Sequence, residues 1–238
     1  MTTLLLSDLH LPAQPSRLRE AFVEFLEGPA RKARQVFILG DLFEYWIGDD
    51  VGLQTYAREI SRIAALTASG VEVFFMAGNR DFLVGNGFAE ITGARILPDP
   101  TVVMLEDGPA LLSHGDIFCS DDVGYQKWRR ISRNGFIQGV FLLLPRMLRE
   151  RIAGDLRSQS AGNKAGKSAE IMDVNAAALS ATFRKHQIKR IIHGHTHRPA
   201  EHRDAEGHER IVLADWTPSR MEYLEISGSG MRRIALPR

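Results

Sequence analysis

One cysteine, Cys119, stands in 238 residues. A single thiol excludes an internal disulfide framework and a cysteine-based zinc site. That suits a reducing compartment, although disulfide-free secreted proteins exist too. Long apolar runs are also missing. The longest, Val140-Phe141-Leu142-Leu143-Leu144, is far short of the ~20 residues a membrane-spanning helix needs. The N-terminus runs straight into a short strand and a polar motif, which is not the pattern of a signal peptide. Charge of one sign is lacking as well: 30 Lys and Arg face 29 Asp and Glu, a net +1. Whole-chain charge therefore names no acidic partner, and any electrostatic partner must be read locally. No internal repeat or low-complexity tract is visible. What remains is ordinary for a globular chain, 44% hydrophobic and 25% charged, which excludes global disorder.

The informative feature is a repetition. Five apolar runs end abruptly in a residue able to hold a metal. Thr3–Leu6 leads through Ser7 into Asp8-Leu9-His10. Val36–Leu39 leads through Gly40 into Asp41. Val71–Ala77 leads through Gly78 into Asn79-Arg80-Asp81. Ala110–Ser113 leads into His114, and Arg190–Ile192 into His193-Gly194-His195-Thr196-His197. Apolar runs of this length read as buried strands. Ligand sites of α/β sheets gather beyond the carboxyl ends of strands. Helical spacing over Ser16–Leu26 (Leu18, Phe22, Phe25, Leu26) and over Gln54–Thr67 alternates with the first strands, as in βαβ units with a parallel core. From Ile96 the strands shorten and turn signals multiply. The segments Arg210–Leu213, Met221–Ile226 and Met231–Leu236 continue that pattern. They predict a second, more antiparallel sheet packed on the first, with helices outside.

Residues 122–168 fit neither sheet. Tyr125–Arg133 and Phe136–Ile152 read as helical, interrupted at Pro145, and Ser158–Ser168 as polar, Gly-rich and mobile. The block predicts a helical insertion, a lid over the site, within a single domain spanning 1–238.

The candidate ligands are Asp8, His10, Asp41, Asn79, His114, His195 and His197. Oxygen and imidazole without thiolate suit Mn, Fe, Zn, Mg, Co or Ni. Seven ligands exceed one tetrahedral ion but suit two ions sharing a carboxylate. Two ions ~3.5–4 Å apart clamp the attacking and leaving oxygens of a displacement at phosphorus. Singly, each signal is weak: Asp-x-His is common, Gly-Asp often caps a helix, and Gly-Asn forms turns. His193, His195 and His197 alternate, which in an extended segment puts all three on one side.

In this order the motifs Asp8-Leu9-His10, Gly40-Asp41, Gly78-Asn79-Arg80-Asp81, His114 and Gly194-His195-Thr196-His197 resemble the calcineurin-like metallophosphoesterases. The resemblance spans residues 7–198. It implies an αββα sandwich of two mixed sheets flanked by helices, and a dinuclear centre. By that analogy Asp8, His10, Asp41 and His197 hold one ion. Asp41, Asn79, His114 and His195 hold the other, and a bridging hydroxide attacks phosphorus.

Arg80 departs from the many members that carry His there as a proton donor. An arginine cannot donate its proton, but it holds phosphate oxygens in a bidentate fork. That suits a leaving group stable as an anion, such as a phosphate monoester, and so a diphosphate bond rather than a serine phosphate. The plainer reading is that Arg80 only pairs with Asp81. Between Lys127 and Arg151, seven cations (Lys127, Arg129, Arg130, Arg133, Arg146, Arg149, Arg151) face one acid, Glu150, among many apolar residues. Such a block suits an anionic membrane surface or an acyl-chain groove; the plainer reading is a helical hairpin packed on its own core.

With these features the chain also resembles the diphosphatases that act on UDP-linked diacylglucosamine in lipid A biosynthesis. The strings Gly40–Glu44, Gly78–Leu83, Ser113–Asp116, Ile171–Asn175 and Ile192–Pro199 carry that likeness. It implies attack on the α-phosphorus, giving UMP and the diacylated glucosamine 1-phosphate. It further implies two divalent ions, with preference for Mn²⁺, and peripheral work on the cytoplasmic face of the inner membrane, with no nucleic acid and no obligate protein partner. Asn79, Arg80 and His195 would meet the diphosphate. Asp122, Ser160, Asn163, Lys164 and Lys167 would line the head-group pocket. Two rivals stand beside this: another enzyme of the fold, such as a nucleotide diphosphatase or nuclease, and a non-catalytic scaffold. A nuclease would want an open basic groove with stacking aromatics, whereas aliphatic residues dominate 122–168.

Overall fold

The computed structural model describes residues 2–165 and 173–237, with 157–165 as backbone only. In chain order the described strands are β1 (Thr3–Leu6), β2 (Gln35–Leu39), β3 (Glu72–Met76), β4 (Arg95–Leu97), β5 (Thr101–Leu105), β6 (Gly108–Ser113), β7 (Arg190–His193), β8 (Ala200–Arg203), β9 (Glu209–Val212), β10 (Glu222–Ser227) and β11 (Gly230–Ala235). The helices are α1 (Arg17–Glu27), α2 (Asp49–Thr55), α3 (Ala57–Ala68), α4 (Asn86–Thr92), α5 (Val123–Ser132), α6 (Gly135–Leu142), α7 (Arg146–Ala165) and α8 (Ala176–His186).

Two mixed sheets form. One has the order β11-β10-β1-β2-β3-β4 and the other β5-β6-β7-β9-β8. Strands β1 to β4 run parallel, as do β6, β7 and β9. Side chains of a strand alternate between its faces, so β1 divides its leucines between two cores. Leu4 and Leu6 join Phe22, Phe25, Ile60 and Ile63 under the outer helices α1 and α3. Leu5 joins Phe37, Leu39, Leu112, Ile192 and Ile226 between the sheets. A third cluster of Leu111, Phe118, Phe183 and Ile191 lies under α8. The result is the expected αββα sandwich.

Four expectations on the way to it need correction. The strand around Ile96 closes the edge of the first sheet as β4, parallel to β3. The C-terminal β10 and β11 also join the first sheet, with β10 antiparallel to β1. The second sheet is correspondingly less antiparallel than expected, because β6, β7 and β9 are parallel. Residues 54–67 do not form one helix: the chain breaks at Tyr56 (φ −112°, ψ 30°). Its buried ring lies 4.3 Å from that of Phe43, and its hydroxyl donates to the Leu11 carbonyl.

In the helical segment the interruption at Pro145 is as expected, since proline starts helices and breaks their interiors. Helix α7, however, continues to Ala165 instead of ending near Ile152. No proline follows Pro145 in that stretch, and a glycine lowers helix propensity by only ~1 kcal/mol against alanine. Elongating a formed helix is also far easier than starting one.

Candidate metal centre

The parallel strands place their carboxyl ends at one edge of the sandwich, and the predicted residues meet there. Asp8 and His10 follow β1, Asp41 follows β2, Asn79 follows β3, His114 follows β6, and His195 and His197 follow β7. Nε2 of His197 lies 3.4 Å from Asp8 Oδ1 and 3.3 Å from His10 Nε2. His114 Nε2 lies 3.0 Å from Asn79 Oδ1, 3.2 Å from His195 Nδ1 and 3.9 Å from Asp41 Oδ1. His10 Nε2 is 3.9 Å from Asp41 Oδ2, so Asp41 stands between the two groups. Asp8, His10 and His197 can converge on one ion, and Asp8, Asp41 and His114 can converge as well.

The backbone is bent to achieve this. Six described non-glycine residues have positive φ, and five of them are candidate ligands: Asp8, His10, Asp41, His195 and His197. That region costs ~1–3 kcal/mol per residue and is held where the surroundings demand it. Asp and His are among the residues that tolerate it best. Glycines supply the close approaches. A Cβ on Gly78 would strike the Asp41 carboxylate and backbone, and one on Gly194 would strike Asp8 and Ser7.

Asp81 ties two of the ligand turns. Its buried carboxylate accepts the N–H groups of Gly78 (2.7 Å), Leu42 (2.7 Å), Asp41 (3.2 Å) and Phe43 (3.4 Å). Arg80 therefore does not pair with Asp81, which answers the plainer reading of that arginine. Arg80 lines the cavity with its guanidinium 3.5 Å from Glu44 Oε1, while its backbone N–H donates to Asp41 Oδ1 at 2.8 Å.

The donor set fits a cation. His114 Nδ1 donates to the Leu39 carbonyl at 3.0 Å. That leaves Nε2, 3.0 Å from Asn79 Oδ1, to carry either a second proton or an ion toward that oxygen. Asp8 Oδ1 and His10 Nδ1 are buried without a hydrogen bond. Charge follows the same logic. Burial would raise Asp8, but His197, His114 and His10 around it outweigh burial and hold its carboxyl well below the usual carboxylate range. Burial would lower His114, but the carboxylates of Asp41, Asp8 and Asp116 push it up to about 9. At His10 burial prevails over the pull of Asp8 and the value falls to about 4. Asp41 is raised, by burial against the attraction of His114. A proton on His114 thus stands where a metal would.

His193 does not join its neighbours. It is fully buried, packed 5.6 Å from the Phe118 ring, and burial lowers it to about 4. The expected alternation fails because the chain leaves the extended region at His195 and His197.

Beside the ligands opens a cavity of about 710 Å³. Polar residues in its lining include Asn79, Arg80, His195, His197 and Asp122; apolar ones include Trp46, Phe82, Trp128, Ile137, Phe141 and Leu156. Asp122 also caps α5, accepting from Tyr125 N at 3.0 Å. Ser160, Asn163 and Lys164 fall in the part of α7 given as backbone only, and Lys167 lies outside the described residues.

Several contributors went unassigned in the sequence. Glu44 sits 3.7 Å from His10 Nδ1, and Asp215 sits 3.7 Å from His197 Nδ1. Asp116 is buried and accepts from the Tyr125 hydroxyl (2.6 Å) and Arg129 Nε (2.9 Å), and the Tyr125 ring lies 5.8 Å from that of His195. Glu44 and Asp116 lie inside recognised strings, but nothing in spacing says which acids turn inward.

Residues 1–199 match the family model of calcineurin-like phosphoesterases. The chain is 46% identical over 233 residues to a UDP-2,3-diacylglucosamine hydrolase of Aromatoleum aromaticum, covering 97% of this chain and 95% of that one. It is 41% identical over 240 residues to a protein of the same name from an Enterobacter species, covering both chains in full. Among solved structures it resembles an archaeal phosphodiesterase (TM-score 0.53, 13% identity, 99% of this chain and 100% of that one). It also resembles a dimetal phosphatase from Danio rerio (TM-score 0.51, 14% identity, 94% and 91% covered). At such identities these two likenesses concern the fold alone.

Proposed function

The chain belongs to the calcineurin-like phosphoesterase family, and from that premise we propose that it is a metal-dependent hydrolase of UDP-2,3-diacylglucosamine. Cleavage of the diphosphate at the α-phosphorus gives UMP and 2,3-diacylglucosamine 1-phosphate, a step of lipid A biosynthesis. The observation that carries this reading is a single cavity lined both by the polar Asn79, Arg80, His195 and His197 of the candidate metal centre and by apolar Trp46, Phe82, Trp128, Ile137, Phe141 and Leu156. Full-length relatives that bear the same substrate in their name support it.

Asp8, His10, Asp41 and His197 would hold one divalent ion, and Asp41, Asn79, His114 and His195 the other, with Mn²⁺ the preferred metal. Bound ions supply Lewis acidity and an activated water. The chain's own groups do the rest. Asp41 stands between both ligand groups and fixes their spacing. The Leu39 carbonyl holds His114 in the tautomer that ligates. Arg80 can fork onto phosphate oxygens and stabilise the charge that grows there. No proton donor is needed for the leaving group, because a phosphate monoester is stable as an anion, its second pKa being ~6.

The apolar walls would take the acyl chains, and Asp122, Ser160, Asn163, Lys164 and Lys167 the head group. Residues 122–168 act as a lid within one domain. No helix of the described residues is long and apolar enough to cross a membrane. Phe136 on α6, Leu143 just after it and Met147 on α7 are nonetheless more than 80% exposed. Those residues suit peripheral contact with a bilayer, at the cytoplasmic face where a UDP-linked, membrane-held sugar is met. A nuclease reading gains nothing from these walls, and a non-catalytic scaffold would not need the full donor set.

Product analysis by mass spectrometry tests the proposal, using purified protein, Mn²⁺ and the diacyl substrate beside UDP-glucose. The expected result is UMP from the diacyl compound, with kcat/KM far below it for UDP-glucose, because binding energy of the chains is spent on the reacting centre. Equal rates on both would sink the lipid assignment.

A further inference from the structure

The cations of residues 127–151 do not all face outward, and the one at the end of α5 reaches the catalytic turn. Arg133 Nη2 donates to the carbonyls of Gly78 (2.9 Å) and Ala77 (3.1 Å). These are the two peptide groups that lead into Asn79 and Arg80. Behind the guanidinium stands the buried Asp116 carboxylate, 3.9 Å away, which also holds Arg129 of the same helix.

The turn needs such a contact. Gly78 must lack a side chain because Asp41 occupies the place of its Cβ. A glycine without that anchor has more backbone freedom than any other residue. Its peptide with Ala77 is therefore clamped from outside, on two edges. The N–H donates to Asp81 Oδ1 at 2.7 Å, and the carbonyl oxygen accepts from Arg133. The peptide between Gly78 and Asn79 is held by Arg133 on its carbonyl edge as well. Rotation of either plane would swing Asn79 away from His114 and Arg80 away from the cavity. Asp81 belongs to the turn itself, whereas Arg133 comes from the helical segment that walls the cavity.

We propose that Arg133 is a positioning residue. It orients Asn79 as a metal ligand and Arg80 toward the diphosphate, so the catalytic turn keeps its alignment only while the helical segment is seated. This rests on the dinuclear reading of the site. It adds that the segment does more than enclose a lipid: it completes the metal centre through two backbone carbonyls.

The test uses the full-length protein with Arg133→Ala and with Arg133→Lys, which keeps a charged donor without the planar fork. Thermal unfolding first checks that each variant is folded. Mn²⁺ titration by calorimetry then reads the centre without any substrate. Removing an outer partner of a ligand costs ~10–100-fold in metal affinity. The expected result for Arg133→Ala is a loss of that size at one of two sites, with partial recovery in Arg133→Lys. In turnover of the diacyl substrate, kcat should fall ~100-fold, the scale of a 1 Å misplacement, with little change in KM. Unchanged Mn²⁺ binding together with a raised KM alone would overturn the proposal, since it would mean that Arg133 only seats the lid. Wild-type protein that binds two Mn²⁺ but leaves the diacyl substrate intact would refute the substrate instead, and the Mn²⁺ arm would still decide Arg133.

Discussion

Arg80 carries a planar guanidinium, a fork of N–H donors with no acceptor. Asp81, its neighbour in sequence, is already committed to four backbone N–H groups. The guanidinium is thus left at the cavity, with Glu44 as its nearest acid. Replacing it with alanine should lower kcat for the diphosphate by ~10²–10³-fold, as for loss of one stabilising donor; steady-state kinetics reads this, and an unchanged rate would remove its role. A second residue-scale outcome follows from the histidines. His114 rises from its ordinary 6.5 to about 9, so between those values only the folded form keeps that proton. Its contribution is full below pH 6.5 and is lost as pH climbs through 9. His10 falls from 6.5 to about 4, so its contribution is full above 6.5 and is lost as pH drops through 4. Metal-stripped protein should therefore have its highest Tm near pH 6.5, with loss on both sides, measured by thermal unfolding across pH. Mn²⁺ must displace the His114 proton, so its stabilisation should grow from pH 6.5 toward 9. A Tm that kept rising to pH 9 without metal would contradict the assignment.

At the scale of elements, the turns after the strands decide whether ligands meet. Gly194 sits against Asp8 and Ser7 with no room for a methyl group. Gly194→Ala should leave both sheets intact by circular dichroism yet abolish tight Mn²⁺ binding; a variant that still bound two ions would contradict the packing argument. These turns were the most legible part of the sequence. Each lies where a short apolar run stops at Gly, Ser or His, and all seven predicted ligands lie at the predicted strand ends. Sheet membership was not legible. Nothing in Met221–Ile226 says that it will pair with β1 rather than β9, because both partners offer an apolar edge and the choice is made by long-range packing. The alternation of His193, His195 and His197 misled for a local reason: two of the three residues take positive φ, so period two does not apply. The arginines of residues 127–151 misled more. Arg129 pairs with Asp99 and Asp116, and Arg149 is 4% exposed and held by Asp50 and the Ile47 carbonyl. These charges pin helices to the body of the protein, and composition alone cannot tell an inward cation from an outward one.

Over the whole molecule, residues 122–156 supply both walls of the cavity beside the metal edge and an exposed apolar face. Trp128, Ile137, Phe141 and Leu156 line the cavity, while Phe136, Leu143 and Met147 lie open on α6, α7 and the link between them. Replacing the last three together with serine should weaken binding to vesicles containing anionic lipid by at least ~10-fold, since each buried apolar side chain is worth ~1.5–3 kcal/mol. The Tm should stay within a few degrees, because little packing is removed. Co-sedimentation reads the first effect and thermal unfolding the second; equal vesicle binding would move the membrane contact elsewhere. The central claim, however, concerns the bond that breaks. Hydrolysis of UDP-2,3-diacylglucosamine in ¹⁸O-water with Mn²⁺, followed by mass spectrometry of both products, tests it most directly. Attack at the α-phosphorus places the label in UMP and none in the diacylglucosamine 1-phosphate. Label in the sugar phosphate, or no cleavage by protein with both ions bound, would contradict it.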